Sequence, residues 1–141
     1  MSVQAVLLPL FVEVVLTFVL LLCMVGTNRG ALERGDVRWQ NIALREPDWP
    51  PRNRQFQNAY LNQFELPVLF YVLTILSMIT HHADLIFVIL AWIFVAMRLA
   101  QAFVHVTDNH VPRRGAFFFV GAVVLAIMWG IFIVRILLGL P

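Results

Sequence analysis

Two sets of polar residues interrupt otherwise apolar parts of the sequence, and each is spaced so that its members share one face of a helix. The intervals of three and four residues between neighbours give this common face. The sets are Arg54, Asn58, Asn62 and Glu65 in the first, and Arg98, Gln101, His105 and Asn109 in the second. Arg113 and Arg114 follow shortly afterwards. This excess of hydrogen-bond donors predicts a pocket for an anionic, hydrogen-bonding ligand, with all ten residues as candidate ligand-binding positions.

Glu65 and Arg98 are expected to form an ion pair between two helices. Each lies about 12–14 Å from the polar end of its apolar segment, at about 1.5 Å per residue. A charge at the centre of a bilayer costs roughly 2.5–3.5 kcal/mol on insertion scales, so such residues need a partner. A purely structural pair is the alternative, since buried ion pairs often join helices without improving stability over apolar packing.

Other chemical groups in the apolar segments give weaker signals. Glu13 has no basic residue at a matching depth except Arg98, so we expect it to be protonated or to face a neighbouring subunit. Arg135 is expected to extend to the membrane interface. The adjoining His81 and His82 lack a third ligand, and one cysteine cannot form a disulfide or a cysteine cluster, so no metal site is predicted.

The elements that position these residues are predicted to be transmembrane helices. The chain is 61% hydrophobic and 13% charged, against about 45–50% and 25% in ordinary soluble domains. Segments of about 20 apolar residues can cross a bilayer. Four such segments are predicted, at residues 3–26, 56–79, 85–106 and 116–140. The predicted fold class is therefore an all-α, integral membrane four-helix bundle surrounded by lipid. The net charge of only +2 does not indicate binding to nucleic acid.

The arginines predict how the bundle is oriented. All ten basic residues are arginine; loop 27–55 carries six of them and loop 107–115 carries two, whereas loop 80–84 has none. By the positive-inside rule, loops 27–55 and 107–115 face the cytoplasm and both termini lie on the opposite side. The first segment is longer than a signal-peptide core and has no basic residues before it, so we expect a retained helix.

The polar motifs resemble those of a known membrane family. The segment from Arg54 to Pro67, read Arg-Gln-Phe-Gln-Asn-Ala-Tyr-Leu-Asn-Gln-Phe-Glu-Leu-Pro, is similar to the second-helix signature of the MAPEG family, the membrane-associated proteins of eicosanoid and glutathione metabolism. The order that follows also resembles this family, most closely its short bacterial members. That order is Arg98, His105, Asn109, Arg113 and Arg114.

The resemblance implies a homotrimer that binds reduced glutathione between neighbouring subunits at the cytoplasmic side. Asn62, Glu65 and Arg98 would fall on ligand-binding positions, and Arg114 on the catalytic arginine that stabilises the glutathione thiolate. A fixed guanidinium favours the thiolate of a thiol whose pKa is ordinarily about 8.5. The implied function is a glutathione transferase or peroxidase that acts on a lipophilic second substrate.

Two alternatives remain at this stage. Asn58 and Leu61 stand where the eicosanoid-forming enzymes tend to carry arginine, and Phe118 stands where a tyrosine would contact the ligand. A non-catalytic membrane scaffold or lipid-binding protein of the same fold is therefore the second hypothesis. A small transporter is less favoured, because transporter sites are typically built from interrupted helices in two matching halves, and only Pro67 is expected to interrupt a helix here.

Overall fold

The computed structural model describes residues 1–43 and 48–141, and every regular element in these ranges is helical. A short 3-10 helix at Trp39–Ile42 lies between the first two of five α-helices. The α-helices are α1 (Val3–Glu33), α2 (Pro51–Asn62), α3 (Leu66–Ile79), α4 (Leu85–Val106) and α5 (Val111–Leu137). Four spans are long and apolar enough to cross a membrane, with α2 and α3 together forming the second.

Helix α1 is longer than the sequence predicts, because it continues past residue 26 to Glu33. Its 31 residues span about 46 Å, which exceeds a hydrocarbon core of about 30 Å. An ion pair of 2.9 Å between Arg29 and Glu33 supports the added turns. Gly35 then ends the helix in a left-handed conformation with φ of 76°. Arg45, which belongs to the predicted loop, lies outside the described residues.

The second span, predicted at residues 56–79, is broken just before Pro67. Pro67 lacks the amide that would bond to the carbonyl of Gln63, and its ring would clash with that carbonyl in a straight helix. Helix α2 therefore ends at Asn62 and α3 begins at Leu66. Residues 63–65 form a tighter turn in which each amide bonds to the carbonyl three residues earlier. Glu65, with φ of −99° and ψ of −105°, lies outside both helices.

Arg98 on α4 stabilises the end of α2 at this break. Its Nη2 donates to the backbone oxygen of Asn62 at 3.0 Å. Its Nη1 donates to Oε1 of Gln101 at 2.7 Å. Carbonyls in the last turn of a helix have no partner within the helix, and membrane lipid offers no donor in place of water. The guanidinium supplies a second donor to the carbonyl of Asn62, beside the amide of Glu65, and joins α2 to α4.

Hydrogen bonds also fasten the end of the bundle where α1 and α4 finish and α2 and α5 begin, which we call the arginine-rich end. Arg52 donates to the carbonyl of Val106, and Gln55 donates to that of Thr107 at 3.3 Å, so α2 caps the last turn of α4. Asn53 and Gln57 both donate to Oδ1 of Asn28 at 3.2 Å. These contacts fix the start of α2 against both α1 and α4.

Helices α4 and α5 form the most extensive pair in the bundle. The buried face of α4 meets α5 at Gly121, where an added Cβ would lie 3.6 Å from Cβ of Met97 and 3.8 Å from the ring of Phe94. Such close approach is typical of small residues between transmembrane helices. Helix α5 begins at Val111, five residues before the predicted start. Arg113 and Arg114 therefore lie in its first turn instead of in a loop.

At the opposite end of the bundle, Arg135 forms an ion pair with Asp84. Nη2 of Arg135 lies 2.8 Å from Oδ2 of Asp84, and this contact joins α5 to the start of α4. The other oxygen of Asp84 accepts from the amide of Phe87 at 3.0 Å and caps α4. Burial alone would raise the pKa of the Asp84 carboxyl, but these hydrogen bonds and the Arg135 charge hold that pKa below its ordinary value.

Replacing Arg98 by methionine should destabilise the bundle. The change removes donors from the carbonyl of Asn62 and the amide of Gln101, and hydrogen bonds of charged groups to buried partners contribute about 1.5–3 kcal/mol. We expect the free energy of unfolding in detergent to fall by that order. The exposed Arg113 is the control, because Arg113→Gln should change it by less than about 0.5 kcal/mol. Equal effects of the two substitutions would contradict the role of Arg98.

Replacing Asp84 by asparagine should lower stability in a pH-dependent way. The pKa of Asp84 in the folded protein lies below the unfolded value of about 3.9. Its contribution is therefore complete above that value and is lost as the pH falls through the folded-state pKa. Because the pair is partly exposed, we expect an effect of about 1 kcal/mol or less. The difference in melting temperature between wild type and Asp84→Asn should narrow below about pH 4; a constant difference from pH 7 downward would count against it.

Candidate functional site

A polar cavity of about 370 Å³ lies between α2, α4 and α5 near the arginine-rich end. The cavity is open to the surroundings. Most of its lining comes from the two sets of polar residues identified in the sequence and from the start of α5. The lining residues are Asn58, Asn62, Glu65, Gln101, His105, Arg114, Gly115 and Phe118. The structure thus brings six of the ten predicted site residues to one cavity. Its volume is within the range of about 300–1,000 Å³ that is usual for small-molecule sites.

The break after α2 positions the acidic residue of this cavity. Asn58 and Asn62 are one helical turn apart on α2, so both side chains reach the same wall. Glu65 belongs to the turn between α2 and α3, and its side chain is exposed. A carboxylate at the opening of a polar cavity can accept hydrogen bonds from a ligand amine.

Arg114 is held at the cavity by Asn109. Its Nη1 donates to Oδ1 of Asn109 at 2.7 Å. Asn109 follows the end of α4 in a left-handed conformation with φ of 52°, and its amide bonds to the carbonyl of Val104 at 2.8 Å. Asparagine adopts this conformation more readily than most residues. Asn109 thus lies behind Arg114 instead of lining the cavity, and it orients the guanidinium.

The predicted ion pair between Glu65 and Arg98 is not formed; both residues lie in the described part of the chain, and no contact within 4.0 Å joins their charged groups. The prediction assumed a straight helix, in which Glu65 would follow Asn62 on the same face. The break places Glu65 outside both helices, so the argument from helical depth does not apply to it. Arg98 is only 1% exposed and contacts the cavity indirectly, through Asn62 and Gln101.

Besides Arg98, two more of the predicted arginines lie outside the cavity lining. Arg54 is exposed at the start of α2. Arg113 is also exposed and forms an ion pair with Asp108 at 3.4 Å. Both remain at the arginine-rich end, where they contribute positive charge near the opening. The structure therefore separates Arg113 from Arg114, although they are adjacent in sequence, since successive helical residues point about 100° apart.

The inner wall of the cavity is formed by buried polar groups of α4. Gln101 and His105 are 3% and 6% exposed. Oε1 of Gln101 accepts from Arg98, whereas Nδ1 of His105 has no hydrogen-bond partner among the described residues. A buried ring nitrogen without a partner is uncommon in native proteins.

Gly115 and Phe118 complete the lining, and neither was predicted to bind a ligand. Gly115 directly follows Arg114, and no atom lies within 4 Å of the position that a Cβ would occupy there. Phe118 lies four residues after Arg114 on the same face of α5. The spacing from Arg114 was thus the sequence signal for Phe118. It gives an otherwise polar cavity one apolar wall.

The charge distribution favours an anion in this cavity. The first turn of α5 contains two arginines and no acidic residue, although the positive end of the helix dipole makes cations there unfavourable by about 0.3–1 kcal/mol each. An anion bound at this end would interact with both the dipole and the Arg114 guanidinium. The arrangement is suited to bind a carboxylate or to stabilise a thiolate.

The comparisons with known proteins agree with this architecture. A family model described as the MAPEG family matches residues 6–134, which include every residue of the cavity lining. Neither the comparison with curated proteins nor the comparison with solved structures returned a match. The family match covers most of the chain and includes residues from all four membrane-spanning segments. The protein is therefore an integral, multi-pass membrane protein that belongs to the MAPEG family of eicosanoid and glutathione metabolism.

Proposed function

We propose that this protein binds reduced glutathione in the cavity and transfers it to lipophilic electrophiles, as a membrane-bound glutathione transferase. The observation that carries the proposal is Arg114, which lines the cavity at the first turn of α5 and is oriented by Asn109. A peroxidase activity toward lipid hydroperoxides would use the same thiolate. Membership of the MAPEG family supports glutathione as the ligand.

The lining has a partner for each polar part of glutathione. Glutathione carries two carboxylates, one amine and one thiol. Glu65 suits the amine, and the amides of Asn58 and Asn62 suit its peptide groups. Arg54 and Arg113, which lie near the opening, are suited to attract the carboxylates through longer-range charge interactions. Arg114 and the start of α5 would then face the thiol.

The chemical step needs contact between the glutathione thiolate and an electrophilic carbon of the second substrate. The thiol loses its proton to water in the open cavity, and the Arg114 guanidinium stabilises the remaining negative charge on sulfur. The sulfur lone pair then forms a bond to an electrophilic carbon, and the leaving group departs with the electrons of the bond that breaks. In an addition reaction there is no leaving group: the π electrons of the substrate's double bond move onto the neighbouring atom, and the anion that forms there takes a proton from water. Phe118 provides an apolar surface for the substrate beside the sulfur.

We extend the proposal to the assembly and its orientation. The cavity opens to the surroundings instead of being enclosed within one chain, which supports a homotrimer in which a neighbouring subunit covers the opening. The arginine content of the loops supports a cytoplasmic position for the arginine-rich end. Cytoplasmic glutathione would then reach the cavity directly, while the apolar second substrate and surrounding lipids meet the outer faces of the helices.

The second candidate is a non-catalytic scaffold or lipid-binding protein. The observation that favours it is Arg98, whose hydrogen bonds go to the backbone of α2 and to Gln101 instead of into the cavity. A transporter is not favoured by the break in the second span, because the described residues contain no matching break in another span. Ligand binding and turnover distinguish the enzyme from the scaffold.

Reduced glutathione should raise the melting temperature of the purified protein in detergent. A ligand that binds only the native state adds about 2.7 kcal/mol of stability at 100 times its Kd. S-methylglutathione, which keeps the carboxylates and the amine but has no thiol, should produce a similar saturable rise. Sodium chloride at matched ionic strength is the control. The absence of a rise with either tripeptide at millimolar concentrations would favour the scaffold.

Arg114→Ala should decrease turnover of a chloronitroaromatic electrophile by about 100-fold, the usual effect of removing one group that stabilises a developing anion. The ultraviolet absorbance of the bound thiolate should show that the glutathione pKa lies below about 8.5 in the wild type and rises toward that value in the variant. Activity of Arg114→Ala should therefore recover in part as the pH is raised.

Arg113→Ala is the matched comparison for that experiment. It removes the same charge from the neighbouring position, whose side chain lies outside the cavity lining and contacts Asp108. We expect it to keep most of the turnover and the low thiol pKa. Equal losses in the two variants would show that general positive charge at this end, and not the position of Arg114, supports the reaction.

A further inference from the structure

Glu13 is a fully buried carboxyl group without a hydrogen-bond partner. Its exposure is 0%, and neither side-chain oxygen has a partner among the described residues. It lies on α1, ten residues after the helix begins. An unpaired polar group at this depth is costly and persists in membrane proteins when it pairs with another group or serves a function. Glu13 therefore lies in the interior of a single helix bundle. The sequence-based alternative, that it faces a neighbouring subunit, does not agree with this position.

Arg98 is the complementary buried group. Two of its three nitrogens are hydrogen bonded, but Nε is buried and has no acceptor in the described part of the chain. Helix α1, which carries Glu13, packs against α4, which carries Arg98. At about 1.5 Å per residue, the two lie about 15 Å and 20 Å along the parallel helices α1 and α4. Their depths therefore match to within the length of an arginine side chain.

We propose that Glu13 is a positioning residue for the polar cavity, acting as the charge partner of Arg98 and thereby fixing Asn62 and Gln101 in the cavity wall. The two groups are more than 4.0 Å apart, so the pairing acts through charge across the low-dielectric interior and not through a direct hydrogen bond. The guanidinium then joins three helices. Its Nη2 bonds to the end of α2, its Nη1 bonds to Gln101 on α4, and its charge would pair with Glu13 on α1.

The loss of Glu13 would act on the cavity through Arg98. Without the carboxylate, the guanidinium would be an uncompensated charge between apolar helices, whereas the open cavity offers it water. We expect the side chain to shift toward the cavity and to release the carbonyl of Asn62 and the amide of Gln101. Both residues line the cavity, so its shape would change although Glu13 itself is not part of the lining.

The first test needs no ligand and measures the coupling between the two residues. The melting temperatures of Glu13→Gln, Arg98→Met and the double variant are compared with that of the wild type. Residues in one interacting group give non-additive effects, whereas distant residues add. We expect the double variant to lose clearly less than the sum of the two single losses. Additive losses would overturn the pairing. Glu13→Gln combined with Asp84→Asn, at the far end of the bundle, is the control and should be additive.

The second test asks whether Glu13 positions the cavity wall, again without relying on glutathione. Asn62→Cys in a Cys23→Ser background reports the cavity through its reaction rate with a small, charged maleimide. Adding Glu13→Gln should change that rate at least several-fold, while adding Asp84→Asn should leave it unchanged. Gln101→Cys serves as the reporter where Asn62→Cys fails to fold. An unchanged rate in a folded Glu13→Gln protein would reduce Glu13 to a structural role and overturn the proposal.

The third measurement connects the role of Glu13 to glutathione binding. Of the three tests, only this one rests on the proposed function. If the wild type binds glutathione, Glu13→Gln should raise its Kd by about tenfold, or about 1.4 kcal/mol, and should have no further effect in the Arg98→Met background. An unchanged Kd in Glu13→Gln would overturn the positioning role but leave glutathione binding intact. If the wild type does not bind glutathione, the proposed function fails, and the first two tests still decide the role of Glu13.

Discussion

The guanidinium of Arg98 is the group on which the arrangement of the cavity depends. A guanidinium between membrane helices has no water to bond to, so the protein itself must supply acceptors for its N–H groups. Arg98 obtains them from the carbonyl of Asn62 and the amide of Gln101. Because these acceptors lie on α2 and α4, the need to satisfy one side chain determines the distance between two walls of the cavity.

The break in the second span and the buried arginine depend on each other. Pro67 prevents a continuous helix, so α2 ends within the bundle and its last carbonyls lack the usual helical partners. The carbonyl of Asn62 accepts only a longer bond of 3.3 Å from the amide of Glu65 and keeps room for a second donor. Arg98 needs such acceptors, and the end of α2 provides one. In a straight second helix, the backbone carbonyls at this level would be bonded to amides of the same helix. Such a helix would offer Arg98 no carbonyl with a weakened helical bond. The same break turns Glu65 away from the helix and leaves its carboxyl group exposed at the cavity.

The sequence predicted the four-span architecture and six residues of the cavity lining, because both depend on regular spacing. Apolar length reveals a membrane span, and intervals of three and four reveal a helical face. The ion pair between Glu65 and Arg98 was wrong because the argument from equal depth assumed unbroken helices. Pro67 was visible in the sequence, but neither the residue at which α2 ends nor the direction of the next helix follows from the proline alone. For Glu13, the sequence offered only a matching depth with Arg98, because a single polar residue has no spacing to compare.

The hydrogen bonds of Arg98 and Arg114 indicate which of these two arginines is able to act on a ligand. Arg98 is almost fully buried, and both terminal nitrogens bond to protein groups. Arg114 is half-buried and, within the described ranges, uses one of its five N–H donors, for the bond to Asn109. A catalytic guanidinium needs donors that are not already used by the protein and a fixed position from which to use them. Arg114 meets both conditions, since Asn109 holds one nitrogen while the others remain at the cavity. The enzyme and scaffold hypotheses therefore differ mainly in what Arg114 does, because Arg98 would keep its structural bonds in either case.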